Sequence, residues 1–116
     1  GRALLMMKAK PYKRCDSGLI ECVPGEADHI LLHLDGPFPN RMIPVIQRGS
    51  RDAHKGPIWT WNGSTDKPTL KPSILTQGGR DGLVKCHTWI TDGQAIFLSD
   101  STHEFAGQTR DLLEVE

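Results

Sequence analysis

The chain has 116 residues, which fits one domain spanning 1–116 and leaves too little for a second. Lys+Arg is 14 and Asp+Glu is 14, so the formal net charge is zero, which excludes a nucleic-acid binder that works by neutralising phosphates. No apolar run approaches the ~18 residues of a membrane-spanning helix, and the patch Ala3–Met7 lacks the length and cleavage site of a secretory leader.

Gly is 12 and Pro is 8, a density of chain breakers that points away from long helices and towards short strands. Residues 3–8 read as a first strand. A turn at Asp16-Ser17-Gly18 leads to a second strand, Leu19–Val23, closed by Pro24-Gly25. His29–Leu34 is a third, ended by Asp35-Gly36-Pro37. Arg41–Gln47 carries Pro44, which predicts an edge strand or a bulge. Residues 48–56, with His54, read as a loop. Ile58–Trp61 alternates and stops at the turn Asn62-Gly63. Ser64–Pro72 reads as irregular and extended, and Ser73–Thr76 as a short strand entry. Gln77–Gly82, with three glycines, reads as the most mobile loop. Val84–Ile90 and Gln94–Leu98 form an antiparallel hairpin through Asp92-Gly93. Ser99–Gln108 is a polar loop, and Thr109–Leu113 is a last strand or a helical turn. The fold class is therefore all-β, or β-rich α+β, in one compact domain of about eight short, mostly antiparallel strands.

The cysteines are three, Cys15, Cys22 and Cys86, an odd number that argues against a disulfide framework and for a reducing, cytoplasmic setting. With His29, His87 and His103 they supply enough ligands for a structural zinc, Cys22, His29 and Cys86 being the leading candidates. No pair has the spacing of a zinc knuckle. Cys86 and His87 are adjacent on a strand, so they point to opposite faces. Cys86 then reads as a small buried hydrophobe.

Ser73 follows Pro72 at a strand entry, a rigid position that suits a nucleophile provided a base lies within hydrogen-bond reach. His87 is the candidate base. His103, in Asp100-Ser101-Thr102-His103, reads equally as an acid/base group helped by Asp100 or as part of a capped turn. An ordinary turn or cap role for Ser73 stays open beside the catalytic one. Oxyanion donors are expected near Ser73 or in the Gly78-Gly79 loop. Trp59, Trp61 and Thr69 are candidate ligand-binding residues, the two tryptophans sharing one strand face. As large aromatics they read equally as core.

Five motifs in order carry a resemblance: Trp59-Thr60-Trp61-Asn62-Gly63, Lys67–Leu75, Cys86–Gly93, Phe97–His103 and Ala106-Gly107-Gln108-Thr109. Over residues 57–113, and weakly over 24–49, the chain resembles a family of small phage and prophage proteins. These often carry the label "ammonia monooxygenase", which a chain of this length without a membrane span does not support. The Pro72-Ser73-Ile74 segment and the later strand histidine also resemble, more distantly, the peptidase-like component of bacterial ubiquitin-like conjugation operons. That resemblance implies Ser73 as nucleophile and His87 as base. Those relatives have a cysteine-rich N-terminal segment. Here the stretch Cys22–His29 has no second cysteine, which weakens the zinc expectation.

Two functions are expected from this reading. One is a small phage-type hydrolase, a peptidase in which Ser73 is activated by His87 and helped by His103 or Asp100, acting on a protein or peptide. The other is a non-catalytic phage accessory module that binds a host protein or small ligand, with or without zinc. Neither calls for nucleic acid or membrane. Both fit the cytoplasm, of the host cell if the chain is phage-encoded.

Overall fold

A computed structural model describes residues 7–46 and 57–115. The chain is β-rich, as its composition and turn signals predict. The strands are β1 (Lys10–Cys15), β2 (Gly18–Glu21), β3 (His29–His33), β4 (Asn40–Ile46), β5 (Trp59–Trp61), β6 (Leu70–Gly78), β7 (Val84–Thr91), β8 (Gln94–Phe97) and β9 (Thr109–Asp111). Two 3-10 turns, Pro24–Glu26 and Arg80–Gly82, are the helical segments among the described residues. All nine strands lie in one sheet, in the order β2-β1-β3-β4-β5-β6-β7-β8-β9. Every neighbouring pair is antiparallel except β4 and β5.

A single sheet must curl on itself to bury one face. Here the chain after β9 returns to the other side of the sheet. The Leu113 N–H donates to the His33 carbonyl at 2.9 Å, and Val115 bridges Met7. The enclosed core holds Ile30 and Leu32 of β3, Ile43 and Val45 of β4, Trp61, Leu70, Ile74, Cys86, Ile90, Phe97 and Leu112. On β7 the period-two alternation is regular. Cys86, Thr88 and Ile90 are buried, while His87 and Trp89 turn to the outer face.

Several expectations need correction. Lys10–Cys15 is a strand although its pattern is mostly polar. Pairing with β2 on one side and β3 on the other builds it, which local composition does not reveal. The strand expected at 3–8 falls largely outside the described residues, and so does the loop at 48–56 with His54. Pro44 lies in an interior strand rather than at the sheet edge. It is accommodated because the pairing of β4 with β5 begins only at Val45, so no ladder bond on that side calls for its missing N–H. The glycine-rich stretch from Gln77 is entered by β6, which pairs with β7 as far as Gly78. The Asp92-Gly93 hairpin forms as expected, with φ of 48° and 79°, the doubly positive conformation that glycine and aspartate tolerate best.

Candidate active site

The site begins with an irregularity in β6. Leu70 pairs with Ile90 and Ile74 with Thr88, so four residue steps on β6 face two on β7. Lys71, Pro72 and Ser73 have no register partner on β7 and bulge from the ladder. Pro72, which follows a cis peptide bond, has no N–H to contribute there. The buried side chains of Leu70 and Ile74 pin the bulge at both ends. The Trp59 indole Nε1–H donates to the Ser73 carbonyl at 3.2 Å and ties the Ser73 peptide to β5.

Beyond the bulge the register resumes, and Leu75 lies directly opposite His87. Ser73 is thereby diagonal to His87 on the outer face, and its Oγ lies 2.9 Å from His87 Nε2. On the far side of the ring, Nδ1 is 3.0 and 3.1 Å from the two oxygens of Asp100. An ionised carboxylate only accepts, so the ring proton sits on Nδ1 and leaves Nε2 free to accept from the Ser73 hydroxyl. The hydrogen bond from His87 holds the Asp100 carboxyl below its ordinary range.

The loop that carries Asp100 is fastened to β7 by its neighbours. Ser101, 8% exposed, accepts the His87 backbone N–H at 2.9 Å and donates to the His87 carbonyl at 3.1 Å. Thr102 does the same to Lys85: its Oγ1 accepts the Lys85 N–H at 2.9 Å, and its own N–H donates to the Lys85 carbonyl at 2.9 Å. The His87 imidazole and the Asp100 carboxylate are thus held in one frame. Hydroxyl, imidazole and carboxylate form a continuous hydrogen-bonded chain, the arrangement in which imidazole takes a hydroxyl proton as the oxygen attacks a carbonyl.

A family model described as "bacterial ubiquitination-like system serine protease (BubE)" matches residues 10–98. The chain belongs to this family. No curated protein and no solved structure matches the chain. The BubE match takes in Ser73 and His87 and ends two residues before Asp100.

The structure does not bring His103 to this cluster. Its ring packs edge-on against the inward-facing Phe97, centroids 4.9 Å apart, and its Nδ1 accepts the Phe105 N–H. Burial lowers its pKa, and its Nε2 is buried without a hydrogen-bond partner among the described residues. Trp61, at 2% exposed, is a core side chain whose indole donates to the Ser64 carbonyl, so it lines no groove. Trp59 packs partly against that core. Thr69 is occupied structurally: its Oγ1 accepts the Asp92 N–H at 2.9 Å and braces the hairpin. Gly78 pairs with Val84, five residues along β6 from Ser73, or roughly 17 Å of strand, too far to supply its oxyanion donors.

The zinc candidates are likewise scattered. Cys86 is buried in the core beside Arg41. His29 is buried with its Nδ1 2.7 Å from Asp28. Cys22 follows β2 at the sheet edge, and Cys15 contacts Ser17 and the Gly18 carbonyl. Among the described residues no three His, Cys, Asp or Glu side chains are grouped to hold a metal ion. Two features escaped the sequence reading, the clamp by Ser101 and the bond from Trp59 to Ser73. Each depends on a contact 14 residues apart in the chain.

Proposed function

We propose that the chain is a serine peptidase in which Ser73 is the nucleophile, His87 the general base and then acid, and Asp100 the orienting carboxylate. The observation that carries this reading is the unbroken Ser73–His87–Asp100 hydrogen-bonded chain on one exposed face. Membership of the BubE family supports it.

In the reaction, Ser73 Oγ attacks the amide carbonyl carbon while its proton passes to His87 Nε2. The developing imidazolium is stabilised by Asp100. Backbone N–H groups of the bulged Ser73 segment serve the oxyanion. Collapse of the tetrahedral adduct breaks the C–N bond, and His87 returns the proton to the leaving amine. Water, deprotonated by the same histidine, then releases the acyl group and regenerates the hydroxyl. Substrates are proteins or peptides. The three cysteines are free thiols in the structure, in keeping with a reducing, cytoplasmic compartment. No helix among the described residues is long and apolar enough to cross a membrane.

The test is covalent labelling with a small fluorophosphonate. The wild type gains one adduct, mapped by mass spectrometry to Ser73, while Ser73→Ala and His87→Ala gain none yet stay folded by circular dichroism. A folded wild type without an adduct overturns the reading. It would select the second one, a phage-type accessory module that docks a host protein, which the exposed Leu75 and Trp89 favour.

A further inference from the structure

The outer face of β6 and β7 carries more than the hydrogen-bonded chain. Along these strands Leu70, Ile74 and Ile90 turn into the core, as does Phe97 of β8. Leu75 and Trp89 do not. Leu75 is 51% exposed and Trp89 38% exposed. Leu75 sits directly across from His87, and Trp89 lies two residues beyond His87 on the same face, opposite the half-buried Ile96. Two large apolar side chains therefore stand in water in the middle of the sheet, on either flank of the Ser73–His87 pair. Exposed apolar surface beside a reactive group marks a place where a ligand takes the place of water.

Spacing decides what kind of ligand. The carbonyl carbon under attack must lie within about 3–3.5 Å of Ser73 Oγ. Same-face residues on a strand recur every ~6.7 Å, so Leu75 and Trp89 lie one such repeat from Ser73 and His87 respectively. That is the distance at which the side chain next to a scissile bond in an extended peptide projects. We infer that Leu75 and Trp89 are specificity-determining residues that receive a bulky apolar side chain adjacent to the scissile bond of an extended peptide. The inference rests on the serine-peptidase reading and adds the class of substrate.

The experiment compares wild type with Leu75→Ser, Trp89→Ser and the double variant, all checked for folding. Two probes are used: a small alkyl fluorophosphonate, and peptide substrates that differ only in having Leu, Phe, Gly or Asp beside the cleaved bond. The wild type is expected to favour Leu or Phe over Gly or Asp by roughly 10-fold or more in kcat/KM. In the double variant the preference falls to within about 3-fold, while the rate of small-probe labelling is unchanged, because no catalytic group has been altered. Labelling of the wild type with equal rates on all four peptides overturns this inference and leaves the peptidase reading intact. So does a preference that survives both substitutions, or a dimer in sedimentation that Trp89→Ser dissociates. Absence of labelling overturns both readings together.

Discussion

Asp100 faces solvent on one side and His87 on the other, with its side chain 52% exposed, so on the peptidase reading it acts by orienting the imidazole rather than by burial. Asp100→Asn keeps the shape but lets the amide donate to Nδ1, which favours the wrong ring tautomer. The expected result is a fall in kcat of roughly 10²–10⁴ with KM little changed, read on any peptide the wild type cleaves. The same carboxylate is held below its ordinary range by the bond from His87. Its folded pKa is depressed, so the stability it contributes is present above the unfolded carboxylate value and is lost as pH falls through the folded one. Asp100→Asn therefore loses less stability than wild type between about pH 5 and about pH 3 in urea titrations. Arg41 presents the opposite situation. It is 8% exposed, inside the sheet, with Nη1 lacking a hydrogen-bond partner among the described residues, and burial pushes its pKa down although the Cys86 thiol lies beside it. A buried cation without a paired carboxylate costs more than an apolar group of its volume. Arg41→Met should raise the unfolding free energy by about 1–4 kcal/mol, measured by urea denaturation, and leave labelling of Ser73 unaltered. A less stable variant would show that the guanidinium is compensated in solution.

At the level of elements, the pairing of β6 with β7 and the loop after β8 do the assembling. The β7–β8 hairpin was legible from Asp92-Gly93, because two positive φ values in a two-residue turn demand those residue types. Gly93 has a second constraint: a Cβ there would lie 3.1 Å from the Asp66 carbonyl oxygen. The bulge at Lys71–Ser73 is not legible locally: Ser64–Pro72 reads as irregular and extended, and nothing in it tells that the pairing resumes at Ile74 with Ser73 diagonal to His87. Locally Ser101 belongs to a capped turn, while in the fold it holds both backbone groups of His87. Ser101→Ala leaves the His87 N–H without its acceptor. The expected cost is about 1–3 kcal/mol in stability. If the serine also positions the base, kcat falls at unchanged KM even well below the melting temperature, and Ser101→Thr restores it. A purely structural role predicts normal kcat in the folded fraction.

For the whole molecule, the closing segment after β9 completes the core: Leu112 is 2% and Val115 3% exposed, and the Leu113 N–H reaches His33. Leu112→Ala should cost about 2–5 kcal/mol, a large share of the reserve of a domain this size, and lower the urea midpoint without changing the labelling rate of the folded protein. Composition and local pattern alone determined that the chain is β-rich, where its hairpin turns and that Cys86 points inward. They also put Ser73, His87, Asp100 and His103 forward as candidates, because turn conformations and strand alternation are properties of neighbouring residues. Only the tertiary structure decided that these three side chains meet. The same is true of the exclusion of His103 and Trp61, the scattering of the thiols and His29, and the recruitment of Lys10–Cys15 as a strand. Each of these depends on register between distant strands, and a shift of one residue there would turn every side chain to the other face.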